Sequence, residues 1–317
     1  MSRPFARGSI SLRLYPHNEL DAPGIVRELC EQATLGLAGG FDGVMASEHH
    51  GGFAGYVPNP LQMASFVLEE HPTGWAAAGP LLLPLRPVAQ LAEEVAWLAA
   101  RHPGRVGLGV AAGALPLDFT VMGIAPTDAV PRFVAGLPRI VAMLEGRDLG
   151  GLEGDRALQA CAVQPIPVLS AAASAGAARR AAACGAGILC EGMSDIGRLR
   201  RICDAYDAAG GGHAKVIIRR VWLGEPRGEL IERQRDVYDS YATRDGGFPA
   251  DQTIADADPV RLAGRIHDAW CGSGADAVDL RVHLPGVTPA EARAQITALA
   301  GAVLPPLRAM WAQGADP

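Results

Sequence analysis

Three ionisable residues, Glu48, His49 and His50, follow Ser47 at the end of a short apolar run, residues 43–46. Histidine exchanges protons near neutral pH and a neighbouring carboxylate can orient its ring, so these residues are candidate catalytic groups. A structural capping role is the alternative. Adjacent histidines on an extended chain point apart, and no further ligand cluster lies near them in the sequence, so we expect no metal site.

A glycine-rich segment, residues 51–59, follows the histidines and contains Phe53 and Tyr56. Loops beside a catalytic group often contact the substrate or close over it. We therefore predict that Phe53 and Tyr56 bind the substrate. A solvated loop is the alternative.

A candidate anion site lies where an apolar run leads into an alanine-rich stretch that begins with Ser174, Ala175 and Gly176. The start of a helix offers free backbone N–H groups, and a serine hydroxyl adds a donor, so a phosphate would bind well there. The alternative is a serine that only caps the helix.

Two other cofactor motifs are excluded by their context. Residues 107–112 have the spacing Gly-x-Gly-x-x-Ala, but the glycines lie inside a predicted strand and a loop follows them. A dinucleotide site needs the strand before the glycines and a helix after them. Lys215 is the only lysine and lies outside any Walker motif, which excludes lysine-dependent phosphate loops and Schiff-base chemistry.

Two predicted strands carry polar side chains on one face, and these are Ser11, Arg13 and Tyr15 on the first strand and Asp279, Arg281 and His283 on the last. Polar faces on buried strands need a partner or a ligand. Arg281 and His283 are therefore candidate substrate-binding residues. The alternative is an internal salt bridge, such as Asp279 with Arg281.

The elements that must position these residues alternate between short β-type runs and helical stretches from one end of the chain to the other. The predicted strands are residues 9–15, 43–46, 75–83, 106–111, 168–171, 187–190, 216–222 and 277–283. Eight strand-then-helix units with no linker between them favour an α/β fold, a TIM (β/α)8 barrel, as a single domain over residues 1–317.

Composition and charge exclude several classes of function. The net charge of −6 leaves no positive field for nucleic acid. The apolar runs are too short to cross a bilayer, and Arg3, Arg7 and Arg13 interrupt any secretory signal. We expect a cytoplasmic protein without nucleic-acid or membrane partners. The six cysteines lack metal or redox spacing and are expected to be buried, reduced thiols.

The order and spacing of several segments resemble the bacterial luciferase-like flavin monooxygenase superfamily, which includes deazaflavin-dependent enzymes. The segments that carry the resemblance are residues 40–50, 81–88, 91–98, 103–109 with Asp118-Phe119, the alanine-rich stretch ending at Ser174, and 301–308. The resemblance covers nearly the whole chain. It implies a flavin-dependent monooxygenase that uses reduced FMN from a separate flavin reductase and O2 to oxidise a small-molecule substrate.

The resemblance also implies roles for individual residues. His49 matches the family's catalytic histidine, with Glu48 and His50 as its neighbours. Ser174 matches the phosphate-binding serine, with the N–H groups of Ala175 and Gly176 beside it, and Arg132 is similar to an arginine that neutralises the phosphate.

Further positions concern the flavin ring. Ala77, Ala78 and Gly79 match a small-residue bulge that lies against the ring and often contains a cis peptide bond without proline. Near Ala111, where the strand ends, the family often has an arginine and this chain has none.

The resemblance leaves two alternative functions open and also implies a partner. The cofactor can instead be the deazaflavin coenzyme F420, whose acidic tail would be served by Arg179 and Arg180. The barrel can also be non-catalytic and bind a flavin or a partner. A homodimer is expected, with contacts through residues 61–70 and 87–100.

Overall fold

Eight parallel strands close into a barrel with helices on its outside in the computed structural model, which describes residues 2–53, 55–225, 227–241 and 252–314. The barrel strands are β1 (Ile10–Leu14), β2 (Gly43–Ala46), β3 (Trp75–Leu82), β4 (Val106–Ala111), β5 (Val168–Ala171), β6 (Gly187–Cys190), β7 (Lys215–Leu223) and β9 (Ala277–Arg281). Consecutive strands pair from β1 to β7, and β9 joins β7 to β1. The predicted TIM barrel is confirmed.

The helices follow the strands in alternation. They are α1 (Ala22–Ala38), α2 (Pro60–Glu70), α3 (Val88–Arg101), α4 (Pro116–Thr120), α5 (Ala129–Leu144), α6 (Arg156–Ala160), α7 (Ala175–Cys184), α8 (Ile196–Asp207), α9 (Gly228–Tyr241), α10 (Pro259–Ser273), α11 (Pro289–Ala298) and α12 (Leu304–Gly314). A π-helical turn, Leu299–Val303, joins the last two.

The predicted strands match the eight barrel strands, with ends that differ by at most two residues. The sequence did not reveal β8 (Ile254–Asp256), which pairs with the end of β7, because three residues are too few for an alternating pattern. The helices α4 and α6 have five residues each, which is less than two helical turns, and were missed for the same reason.

Apolar side chains fill the layer between strands and helices. Leu12, Val44 and Leu108 point outward from their strands into this layer. Inside the barrel, Phe5 and Trp75 pack edge to face with ring centres 5.2 Å apart. The polar residues of β1 and β9 lie nearer the carboxyl ends, so the barrel presents its polar face at that end, where TIM-barrel enzymes place their sites.

The cysteines are all free thiols, but not all of them are buried. Burial raises the pKa of the Cys30 and Cys161 thiols to about 11. Cys184 is half-buried and Cys271 is exposed. The expectation of buried thiols is therefore wrong for these two residues.

Two features of the helices concern membranes and the predicted dimer contact. Among the described residues, no helix combines the length and the apolar character needed to cross a bilayer. The apolar residues of α2 and α3, the predicted dimer contact, mostly pack into the core of the protomer, while Trp97 on α3 is exposed.

Candidate functional site

His49 lies just beyond the carboxyl end of β2 and is held by Asp118, a buried residue in the first turn of α4. Nδ1 of His49 lies 2.7 Å from Oδ2 of Asp118. The other oxygen, Oδ1, accepts the backbone N–H of His50 at 2.8 Å. A carboxylate accepts hydrogen bonds, so this contact places a proton on Nδ1 of His49 and leaves Nε2 as the ring nitrogen available to another group.

Glu48 and His50 belong to a second network that turns away from His49. Glu48 is almost fully buried and accepts hydrogen bonds from Arg86 at 2.7 and 2.9 Å and from the backbone N–H of Leu82 at 2.6 Å. Nε2 of His50 lies 2.8 Å from the same carboxylate. The carboxylate of Glu48 thus ties the end of β2 to the end of β3.

The segment after the histidines folds back onto the site. Residues 48 and 57 form a bridge pair, and the N–H of Gly55 donates to Asn18 at 2.8 Å. The rings of Phe53 and Tyr56 lie 4.9 and 4.4 Å from the ring of His49. Phe53 is buried, and both rings contact His49, so these two side chains do not belong to a solvated loop.

Small residues allow β3 and β4 to approach each other at the mouth. The pairing of β3 with β4 is irregular between Ala78 and Leu81, and the peptide bond between Gly79 and Pro80 is cis. A Cβ on Gly109 would lie 3.0 Å from Cα of Gly79, so a neighbouring backbone explains this glycine. The predicted bulge is present, but the cis bond precedes a proline, contrary to the expectation of a cis bond without one.

An internal salt bridge lies beneath this bulge. Nε of Arg13 lies 2.6 Å from Asp279, and its Nη1 donates to the carbonyl of Gly79 at 2.7 Å and to Ser47. Ser11 donates to the other oxygen of Asp279 at 2.7 Å. The partner of Asp279 is therefore Arg13 and not Arg281. The guanidinium of Arg13 thus reaches from β1 across to the carboxylate of Asp279 on the neighbouring strand β9.

Arg281 and His283 lie on the same side of the mouth as Tyr15. The guanidinium carbon of Arg281 is 4.5 Å from the centre of the Tyr15 ring, and His283 stacks on that ring at 5.2 Å. Tyr15 in turn contacts Tyr56 at 5.4 Å. A continuous line of rings thus connects His49 with these two predicted substrate residues.

The candidate phosphate site lies beyond the end of β5. Ser174 is the N-cap of α7, and its hydroxyl accepts the N–H of Ala177 at 3.2 Å. Ala175 and Gly176 are the first two residues of the helix, where N–H groups lack partners within the helix. The serine therefore caps the helix, as the alternative held, and the first turn of the helix still offers its donors at the barrel's carboxyl end.

Two arginines near this end differ in what they contact. Arg132 is exposed on α5 and donates to the carbonyl of Pro84 at 3.0 Å, so its hydrogen bond points to the segment after β3. Arg198 on α8 donates to the carbonyl of Ala173 at 2.8 Å. Arg198 thus lies directly beside Ser174, whereas Ala111 at the end of β4 offers no charge.

Sequence reasoning assigned no role to Asp118, Arg86 or Arg198. Asp118 occurs within the motif that carried the family resemblance, and an acidic residue between Leu117 and Phe119 was the available signal. Arg86 likewise lies within residues 81–88 of the resemblance, whereas Arg198 had no signal because its contact joins distant elements. In the part of the chain that the structure describes, no group of three His, Cys, Asp or Glu side chains could hold a metal.

A family model described as luciferase-like monooxygenase matches residues 10–301. An uncharacterized protein of Sinorhizobium fredii, y4wF, is 27% identical over 217 residues, which are 64% of this chain. The chain matches 62% of the length of that relative.

Solved structures show the same fold. The monooxygenase RslO1 from Streptomyces bottropensis superposes with a TM-score of 0.73 at 18% identity, covering 94% of this chain and 99% of that one. The oxygenating constituent of 3,6-diketocamphane monooxygenase from Pseudomonas putida, in complex with FMN, gives 0.74 at 17%, covering 94% and 98%. An F420-dependent secondary alcohol dehydrogenase gives 0.72 at 15%, covering 97% and 99%.

Proposed function

The chain belongs to the luciferase-like monooxygenase family and is an oxidoreductase, and we propose that it is a monooxygenase that uses reduced FMN and O2 to oxidise a small organic substrate. The observation that carries the proposal is the pairing of His49 with the buried carboxylate of Asp118 at the mouth of the barrel. A separate reductase supplies the reduced flavin in this proposal, which agrees with the exclusion of a dinucleotide motif at residues 107–112.

The residues at the mouth fit a flavin ring. On the inner face of β3, Ala77 and Gly79 present only small groups, while Ala78 packs in the layer between strands and helices. Nη2 of Arg13 is buried beneath the bulge and has no hydrogen-bond partner among the described residues. A donor without a partner suits a ring with carbonyl oxygens, because an unsatisfied buried donor is costly.

The residues beyond β5 fit the phosphate of FMN. Ser174, Ala175 and Gly176 form the start of a ten-residue helix, whose first N–H groups and dipole favour an anion. Arg198 stands beside them and supplies the positive charge that is missing near Ala111. Arg132 would have to leave Pro84 to contribute.

His49 has the properties of a proton carrier. Bound reduced flavin would supply the electrons that activate O2. Nε2 of His49 accepts or returns a proton at the mouth, and Asp118 holds the ring and stabilises its charged form. In this proposal Phe53 and Tyr56, whose rings contact the His49 ring, keep water away from it. Glu48 and His50 hold the backbone that carries His49.

The second candidate function is F420-dependent oxidation or reduction of a small molecule. Arg179 and Arg180 are exposed on α7, the helix that Ser174 caps, and would meet an acidic cofactor tail. The dehydrogenase with an F420-acetone adduct has the same fold.

The experiment that tests the proposal measures how fast air reoxidises protein-bound reduced FMN. His49→Gln removes the proton acceptor while keeping the size of the side chain. We expect the variant to bind reduced FMN as tightly as the wild type and to change the reoxidation rate by about ten-fold or more. His71→Gln, on the far side of α2, is the matched control. Equal rates in wild type and His49→Gln would contradict the proposal.

A further inference from the structure

Exposed apolar side chains are concentrated in one part of the surface. Of the nine large apolar residues that are exposed in the described part of the chain, five lie within residues 117–134. Each of the five is 41–57% exposed, and they are Leu117, Val121, Met122, Val130 and Val134. The other four are scattered over the rest of the chain. Single apolar residues on a surface are normal, whereas a group of them marks an interaction site.

The five side chains belong to two consecutive helices that are held together. Leu117 on α4 and Val121 at its end are four residues apart, and so are Val130 and Val134 on α5. Residues four apart lie on the same side of a helix. A 3-10 turn, Pro126–Asp128, lies between the helices and packs against both. The exposed apolar residues of α4 and α5 therefore form one surface.

The surface around these side chains carries little charge. Sixteen residues between positions 114 and 135 are exposed, and eleven of them are Ala, Pro, Val, Leu or Met. Two of the sixteen are charged, Asp128 and Arg132. About 25–35% of the residues on a solvated surface are charged, whereas the centre of an interface is depleted of charged residues. We call these sixteen residues the α4–α5 patch.

The size of the α4–α5 patch suits a contact with another protein. A standard interface engages about 20–30 residues on each side. Its centre is apolar and its rim is polar. The patch supplies most of that number from one continuous stretch of chain, with apolar residues in the majority. The area is therefore close to what one side of a stable dimer contact needs.

The two charges of the α4–α5 patch favour a second copy of this chain as the partner. In a two-fold dimer both copies use the same surface, so that residue i meets residue j and j meets i. Asp128 and Arg132 have opposite charges and are four residues apart at the start of α5. A two-fold axis between them brings Asp128 of one copy near Arg132 of the second copy. Arg132 also donates to the carbonyl of Pro84, which uses one of its five N–H groups.

Electrostatics outside the patch support the same partner. Each chain has a net charge of −6, so two copies repel each other wherever acidic surfaces meet. The α4–α5 patch has no net charge, because its one acidic residue is balanced by its one basic residue. An exposed ion pair adds little to affinity, so Asp128 and Arg132 set the orientation of the copies and the apolar side chains supply the affinity.

The patch lies directly behind the candidate site. Leu117 precedes Asp118, whose carboxylate holds the ring of His49. A Cβ on Gly51 would lie 2.9 Å from the side chain of Leu117, so the segment after the histidines adjoins the patch. A protein seated on the α4–α5 patch covers the outer side of the short helix that positions the catalytic histidine.

We propose that the α4–α5 patch is the contact between two copies of this chain in a two-fold dimer. This contact replaces the one through α2 and α3 that the sequence predicts, since the apolar residues of those helices mostly pack within the protomer. The inference uses the surface alone and does not rest on the proposed function.

The test measures the oligomeric state of the purified protein by sedimentation velocity over a dilution series. We expect the wild type to be a dimer. The double variant Val130→Glu/Val134→Glu places four like charges in the two-fold contact, so its dissociation constant should rise at least about 100-fold. Val163→Glu is the matched control, because Val163 is 91% exposed and lies outside the patch, and this variant should remain a dimer. Circular dichroism establishes that each variant is folded.

A mixture of two variants identifies the partner. Val130→Lys/Val134→Lys should also be monomeric, but an equimolar mixture with the glutamate variant should recover the dimer, because opposite charges then face each other. A wild-type protein that is monomeric throughout the dilution series would overturn the proposal. A mixture that stays monomeric would assign the patch to a different partner and would also overturn it. Dimers that survive in both double variants and are lost in Trp97→Glu would place the contact on α3 instead.

Discussion

The carboxylate of Asp118 binds Nδ1 of His49 with one oxygen, at 2.7 Å, and the backbone N–H of His50 with the other, at 2.8 Å. One side chain from α4 therefore fixes both the ring and the backbone of the segment after β2. This contact joins the loops that follow two different strands, as TIM-barrel sites commonly do.

Replacing Asp118 with Asn should impair proton transfer while leaving the flavin site intact. The amide either presents its NH2 to Nδ1 and reverses the tautomer of His49, or presents it to the N–H of His50 and leaves two donors facing each other. We expect the rate of reoxidation of bound reduced FMN to change by about ten-fold or more, with unchanged FMN affinity. Asp128→Asn, at an exposed residue without a capping hydrogen bond, should behave as the wild type. An Asp118→Asn variant with wild-type rates would show that the contact is only structural.

Glu48 should matter for stability rather than for chemistry. Glu48→Gln puts an amide NH2 against Arg86 or the N–H of Leu82, so a buried charge loses its partner. Breaking such a pair costs about 3 kcal/mol, which urea denaturation would detect as a lower midpoint. Glu69→Gln, in an exposed pair with Arg101, should leave the midpoint unchanged. A Glu48→Gln variant of wild-type stability would argue against this network.

The proposed phosphate site at Ser174 predicts a difference between FMN binding and riboflavin binding. Arg198→Met removes a charge beside Ser174, so it should weaken the binding of FMN and leave the weaker binding of riboflavin, which lacks the phosphate, unchanged. A loss of about ten-fold in FMN affinity corresponds to one charge-assisted hydrogen bond. Quenching of flavin fluorescence measures the affinity for FMN and the affinity for riboflavin. Arg201→Met, exposed on the same helix, is the control, and equal losses for both flavins would contradict the assignment.

The depressed pKa of His283 predicts loss of stability in mild acid. Below pH about 6.5 this residue is protonated in the unfolded chain but stays neutral in the folded chain. The free energy of unfolding therefore falls by up to about 1.4 kcal/mol for each pH unit of acidification. His102, whose pKa burial also lowers, adds to the slope.

His283→Gln should reduce that slope between pH 5 and 6.5, since glutamine does not titrate. Urea unfolding at several pH values measures it. At pH 8 the ring is neutral in both states, so the comparison there reports any other effect of the substitution. An unchanged slope would show that the pKa of His283 is not lowered in the folded protein.

The fold could be predicted because each barrel strand has an apolar pattern of its own and a helix-forming stretch after it. The location of Glu48-His49-His50 and of Ser174 at the barrel mouth could be predicted because both segments follow strands. A parallel barrel brings the carboxyl ends of its strands together. Alternation along a strand also shows which residues share a face, which is why Arg13 and Tyr15, and Arg281 and His283, were assigned to the polar faces of the first and last strands.

The partners of these residues could not be predicted from the sequence. Whether Asp279 pairs with Arg13 or Arg281 depends on the side-chain reach between β1 and β9, and no local pattern encodes it. Asp118 and Arg198 lie 69 residues from His49 and 25 residues from Ala173, their respective partners. Such contacts are set by the packing of loops on different strands and carry no periodic signal.

The most direct test of the central claim is an anaerobic titration of the purified protein with reduced FMN and, in parallel, with coenzyme F420, followed by admission of air. The account predicts tight binding of reduced FMN, weak or no binding of F420, and reoxidation of the bound flavin at a rate distinct from that of free reduced FMN. Binding of F420 alone would contradict the monooxygenase assignment in favour of the deazaflavin enzyme, and binding of neither would contradict a redox role for this site.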